Sequence, residues 1–159
     1  MSLIAVVDTN VVAAGLMTSS RTAPTVQVLD GMLSARFSFA LSVALLAEYR
    51  DVLNRPSLRQ RHALSHEDVE SLLVALARDA IILEPVAGSM APDPGDQHLW
   101  NLLASHDRLC LVTGDKLLLQ HQPAPAPMLT PAEFMLRMAA SGVQEAHELS
   151  EIPLESQRG

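Results

Sequence analysis

The chain has 159 residues, of which 48% are hydrophobic and 18% charged, with a formal net charge of −7. Those figures fit one folded domain with a core and exclude a disordered chain. They also exclude a protein that grips a polyanion by its own charge, so a nucleic-acid substrate would need a recruited cation. One cysteine, Cys110, rules out an internal disulfide and any multi-cysteine zinc site. No basic stretch leads into a long apolar run, so neither a signal peptide nor a membrane span is expected, and the expected location is cytoplasmic.

In chain order, Leu3-Ile4-Ala5-Val6-Val7 is an unbroken apolar run that stops on Asp8. It reads as a strand buried on both faces, with Asp8 at its carboxyl end. A first helix covers Asn10 to Met17, and a second runs from Pro24 to about Ser34. Phe37 to Leu41 alternates as strand two, and Ser42 caps a helix that carries Glu48 and ends near Arg55-Pro56. Residues 57–64 read as a short basic connection. Ser65-His66-Glu67-Asp68 resembles a capping box and opens a helix to about Asp79.

Ile81-Ile82-Leu83 is strand three, and residues 85–92 form a loop. Asp93-Pro94-Gly95-Asp96 starts a helix whose buried face holds Leu99, Trp100, Leu102 and Leu103. Leu109 to Thr113 is strand four, followed by Gly114-Asp115 and a short helix at Leu117 to Leu119. Residues 121–127 are proline-rich and read as a loop, Met128-Leu129 as a last strand, and Thr130 caps a final helix to about Ala140. Residues 141–159 read as a polar, acidic tail. Alternating strands and helices define an α/β class, a three-layer α/β/α domain over residues 1–140 with a mostly parallel sheet of four to five strands.

In such sheets ligands bind at the carboxyl ends of the strands. Asp8 and Asp115 follow two strands at that edge, Glu48 lies in the helix after strand two, and Asp96 opens the helix before strand four. Gathered carboxylates repel and cost desolvation, and their natural partner is a hard divalent cation, Mg²⁺ or Mn²⁺. Each acid also has a simpler reading: Asp8, Asp93 and Asp115 stand where helix caps stand, and Asp96 can complement a helix dipole. Asn10 and Thr113 flank the same edge and are candidate hydrogen-bond partners of the carboxylates. Arg50, Arg55, Arg59 and Arg61, with His62, concentrate basic charge and are candidate RNA-backbone contacts or a solvated basic face. None of the six histidines has the spacing of a zinc motif.

Val7-Asp8-Thr9-Asn10, Leu46-Ala47-Glu48, Asp93-Pro94-Gly95-Asp96 and Val112-Thr113-Gly114-Asp115-Lys116, in this order, resemble the PIN-domain family of metal-dependent ribonucleases. The resemblance is nearest to the VapC-like branch, toxin components of bacterial toxin–antitoxin pairs. It implies a parallel sheet, an acidic pocket for Mg²⁺ or Mn²⁺ formed by Asp8, Glu48, Asp96 and Asp115, and endonucleolytic cleavage of RNA. It further implies a homodimer neutralised by a small antitoxin, with Asp93 as an auxiliary acid. Many members carry another acid where this chain has Leu117, which leaves open whether one or two ions bind. The competing expectation is a catalytically weak or inactive PIN-like module that binds metal and nucleic acid or a protein partner.

Overall fold

Strand β1 (Ile4–Val7) is the axis of the fold. Its four residues are buried without exception, as a run of β-branched and small apolar side chains requires when both faces of a sheet are covered. It pairs in parallel with β4 (Leu109–Val112), Ile4 opposite Leu109 and Val7 opposite Val112, and β4 pairs in parallel with β5 (Met128–Leu129). A second parallel ladder joins β2 (Ala40–Leu41) to β3 (Ile81–Ile82). A single bridge between Ala5 and Phe39, with the Ala5 N–H donating to the Ser38 carbonyl at 3.0 Å, links the two ladders. The strand order is therefore β3-β2-β1-β4-β5, all parallel, in a three-layer α/β/α arrangement. The computed structural model describes residues 2–121 and 124–150.

The helices are α1 (Thr9–Met17), α2 (Pro24–Leu33), α3 (Val43–Leu53), α4 (Pro56–His62), α5 (His66–Asp79), α6 (Gln97–Leu103), α7 (Lys116–Gln120) and α8 (Pro131–Ser150). A 3-10 turn at Pro94–Asp96 leads into α6. Local chemistry sets their starts. Ser42 Oγ accepts from the Leu45 N–H at 3.1 Å to cap α3. Ser65 and Asp68 exchange both bonds of a capping box at α5, with Asp replacing the commoner Glu. Helix α2 packs on α1, α5 and α8, and α3 packs on α1, α5 and α6. The core they enclose is aliphatic around four fully buried aromatic rings, Trp100, Tyr49, Phe39 and Phe134, and Cys110 is buried within β4.

Three expectations are corrected. Residues 57–64 are not a connection: α4 occupies Pro56–His62, starting on a proline at its first position. Its residues are mostly polar, so it shows no apolar period. Its C-cap, Ala63, adopts a left-handed conformation (φ 59°) that ends it. The final helix does not stop near Ala140 but continues to Ser150, so residues 141–150 are helical rather than part of a loose tail; residues 151–159 lie outside the described residues. Strand two is also shorter than its alternating pattern, with only Ala40–Leu41 in the ladder.

Gly31, inside α2, is held by packing. A Cβ there would lie 2.3 Å from Cε1 of Phe37. The Phe37 ring is wedged edge-on between Phe39 (centroids 6.5 Å) and Phe134 (4.8 Å) and has little room to retreat. In an open helix, Gly→Ala gains roughly 1 kcal/mol; here overpacking, worth about 1–3 kcal/mol, opposes it. Gly31→Ala is expected to lower stability by up to about 2 kcal/mol net in urea unfolding, and a stabilised variant would show that Phe37 yields freely.

Candidate functional site

The carboxyl edge of the sheet begins at Asp8. It caps α1 with extended backbone, and its Oδ1 accepts from the Thr9 N–H at 2.8 Å. Oδ2 accepts from the Thr113 hydroxyl at 2.8 Å. Thr113 follows β4, and its Oγ1 also accepts the Asp115 N–H at 3.0 Å. One hydroxyl thus ties the ends of the two central strands and orients the turn that carries Asp115. Asp115 itself caps α7, its Oδ1 accepting from the Leu117 N–H at 2.9 Å. Asn10 is exposed and its Oδ1 takes the Gly114 N–H at 3.4 Å, a long bond across the same edge.

Glu48 reaches this edge from α3. Its Oε2 accepts from Thr9 Oγ1 at 2.7 Å. Thr9 is therefore bonded to two acids at once, its backbone to Asp8 and its hydroxyl to Glu48. The neighbouring Tyr49 is fully buried and donates its hydroxyl to the Val7 carbonyl, locking α3 against the end of β1. His98, on the first turn of α6, brings Nε2 to 3.2 Å from Glu48 Oε2. Asp96 sits at the junction of the 3-10 turn and α6, half-exposed, with no bond from its side chain to the helix end. Asp93 accepts the Gly95 N–H at 2.8 Å and shapes that turn.

The electrostatics show that these groups share one field. Asp8 is pushed up to about 6, first by burial and then by the Asp96 and Glu48 carboxylates, against the lowering pull of the Thr113 and Thr9 bonds. Asp96 is raised by partial burial and by Asp93, Glu48 and Asp115, with His98 pulling the other way. Burial, followed by Asp8 and Glu48, raises the Tyr49 phenol well above its ordinary value. The structure thus brings Asp8, Glu48, Asp96 and Asp115 into one neighbourhood. Among the described residues, none of the four pairs with a lysine or arginine.

That donor set fits a hard divalent cation: carboxylate oxygens with no lysine or arginine partner among the described residues. Among the described residues no three His, Cys, Asp or Glu side chains already close into a chelating group. A bound ion would therefore keep water or substrate oxygens as ligands, as Mg²⁺ commonly does.

The basic residues are placed differently. His62 is buried, Nε2 donating to the Leu53 carbonyl (2.8 Å) and Nδ1 accepting from the Leu64 N–H (3.0 Å). It serves the α4 turn and does not belong to a basic surface. Arg50 is paired with Glu70 at 2.7 Å on the exposed faces of α3 and α5. Arg59 lies 2.7 Å from His66 through Nη1. Arg55 and Arg61 are exposed at the two ends of α4. Sequence reasoning missed Thr9, Tyr49 and His98. Only Thr9 carried a visible signal, a hydroxyl directly after the strand-end acid.

The fold and its acidic strand ends define a PIN-like α/β domain. Residues 5–117 match the family described as PIN domain, and the chain belongs to that family. PIN domains are in general nucleases, and those nucleases typically use a divalent metal. The solved PIN domain of T. brucei RRP44 is similar over 94% of this chain and 88% of that one, with a TM-score of 0.48 and 12% identity. No curated protein matches the sequence. No helix among the described residues is long and apolar enough to cross a membrane.

Burial of Asp8 has a consequence for stability. Its folded value of about 6 lies above the unfolded 3.8, so the native state favours the protonated form. Stability from this group is fully present below pH 4 and is lost as pH rises through 6, by on the order of 3 kcal/mol. Asn caps a helix as well as Asp. Asp8→Asn should therefore stabilise the metal-free protein at pH 8 by roughly 2 kcal/mol, a gain that fades below pH 4. Urea melts at pH 3.5, 6 and 8 check it, and a variant less stable than wild type at pH 8 would contradict the assigned strain.

Proposed function

We propose that this PIN domain is a divalent-metal-dependent endoribonuclease that hydrolyses RNA phosphodiester bonds, and the toxin of a bacterial toxin–antitoxin pair. The observation that carries the nuclease reading is the meeting of four carboxylates from four separate segments with no Lys or Arg partner among the described residues. A fold does not hold such charge at a strand-end crevice without a ligand to neutralise it.

In this reading Asp8, Glu48, Asp96 and Asp115 hold Mg²⁺ or Mn²⁺ and form the catalytic group. The bound ion supplies the charge that polarises a phosphoryl oxygen and lowers the pKa of an attacking water. Thr113 and the Thr9 N–H fix both oxygens of Asp8 so that its remaining lone pairs face the crevice. Glu48, held at Oε2 by Thr9, keeps Oε1 and the second lone pair of Oε2 for an ion or a water. Asn10 and Asp93 shape the rim through their bonds to Gly114 and Gly95. Arg55 and Arg61 are exposed and have no side-chain partner among the described residues, and they contact the RNA backbone. Arg50 and Arg59 would join them by exchanging Glu70 and His66 for phosphate.

The toxin reading rests on the resemblance of the strand-end and helix motifs to the VapC-like branch. Two exposed apolar side chains support a protein partner at this edge. Val43 (80% exposed) and Leu117 (76%) stand at the starts of α3 and α7, the helices that follow β2 and β4. A small antitoxin covering the site would bury both, and a homodimer is the expected resting assembly. Leu117 also favours the second reading, a weak or inactive module, because it places an exposed hydrocarbon where the family resemblance leads one to expect an acid.

The test is incubation of the purified protein with a single-stranded RNA pool in Mg²⁺, in Mn²⁺ and in EDTA, beside Asp8→Asn. Cleavage is expected only with metal, falling by roughly a hundredfold or more in the variant. Cutting that survives EDTA or the substitution would refute the assignment, and metal binding without cutting under any condition would establish the inactive module.

A further inference from the structure

We propose that His98 supplies a nitrogen donor beside Glu48, so that the divalent site prefers Mn²⁺ and other imidazole-binding transition ions to Mg²⁺. This inference rests on the metal reading of the acidic edge and adds to it the identity of one ligand and the resulting choice of ion.

His98 occupies the second position of α6, two residues after Asp96, and its ring enters the same crevice. Both ring nitrogens are shut off from solvent and neither has a hydrogen-bond partner among the described residues. A neutral imidazole carries one donor and one acceptor, and buried polar atoms left without partners point to a water or an ion. The contact with Glu48 does not satisfy them. Nε2 lies 3.2 Å from Oε2, within ion-pairing reach but off the line of a hydrogen bond, and the Thr9 hydroxyl at 2.7 Å holds Oε2 in place while leaving it a second lone pair.

The 3.2 Å separation has another meaning. Two ligands bonded to one ion at ~2.1 Å lie about 3.0 Å apart in octahedral geometry and about 3.4 Å apart in tetrahedral geometry. Nε2 and Oε2 therefore stand at the spacing of one edge of a coordination polyhedron. No three His, Cys, Asp or Glu side chains among the described residues already close on one point, so the other acids, water and phosphate oxygens would fill the remaining positions as the ion binds. The remaining acids, Asp8, Asp96 and Asp115, are hard oxygen donors that Mg²⁺ and Mn²⁺ share. An imidazole breaks that tie, because Mg²⁺ prefers all-oxygen ligands and the later ions gain from nitrogen.

Pulsed electron paramagnetic resonance of the full chain loaded with Mn²⁺ reads the ligand directly. The expected result is ¹⁴N modulation from a coordinated imidazole, converted to a ¹⁵N pattern when the histidines are ¹⁵N-labelled and lost in His98→Gln. Calorimetry on the same proteins should show the Mn²⁺-over-Mg²⁺ affinity ratio falling about tenfold or more in His98→Gln. If His98→Gln fails to fold, loss of the labelled signal in Asp8→Asn supports the proposal and its persistence there overturns it. Mn²⁺ that binds in an Asp8-dependent manner without nitrogen coupling, or coupling that survives His98→Gln, overturns the role of His98 and leaves the metal site standing. Failure of Mn²⁺ to bind the wild-type chain overturns the metal reading and this proposal together.

Discussion

A carboxylate buried at the end of the central strand is the constraint on which the rest depends. Asp8 is 8% exposed, closes β1, and starts α1. An ionised carboxylate at that depth is costly unless every lone pair is used. The chain answers with two short bonds, from the Thr9 N–H and the Thr113 hydroxyl, and these draw the ends of β1 and β4 together. The same two threonines then extend outward. Thr9 reaches Glu48 across to α3, and Thr113 receives the Asp115 N–H at the head of α7. Asp8, Glu48 and Asp115 are thus tied into one bonded network, which Asp96 joins through its charge. Burial first, and then the neighbouring carboxylates, raise the proton affinity of Asp8 and Asp96, and no lysine or arginine among the described residues offsets it.

Fold and site are connected through β1. With β2 on one side and β4 on the other, β1 is the middle strand of five, and its end lies at the centre of the crevice. Burial of Ile4 to Val7 on both faces fixes the strand's position, and the Tyr49 hydroxyl on the Val7 carbonyl sets where α3 crosses it. Glu48, one residue before Tyr49, is thereby held at the level of Asp8. A core contact and a functional contact share two consecutive residues.

Much of this was legible in the residues. The apolar run ending on Asp8 and the second one ending near Asp115 identify two parallel strands, and the strand-end rule places their acids at one edge. The capping box at Ser65 was readable with Asp in the third position because a carboxylate of either length can reach the cap. What escaped notice lacked a period or depended on angles. Helix α4 has almost no apolar stripe, and the signal available was Pro56 at its first position. The extension of α8 past Ala140 passes through Gly142, which costs a helix only about 1 kcal/mol and does not end it. Two bonds from Thr9 and the approach of His98 to Glu48 depend on how α1, α3 and α6 face one another, which no spacing within a single segment encodes. His62 was misread as surface charge because its partners, the Leu53 carbonyl and the Leu64 N–H, are backbone groups without a sequence signature.

The central claim is that the acids at the strand ends form a divalent-metal site. Anomalous diffraction from crystals of the protein grown in Mn²⁺ tests it most directly. The account predicts a strong peak at the carboxyl edge, contacted by Asp8 and Glu48 and bordered by Asp96 and Asp115. A crevice empty at saturating Mn²⁺, or one closed by an arginine or lysine side chain in place of the ion, would contradict it.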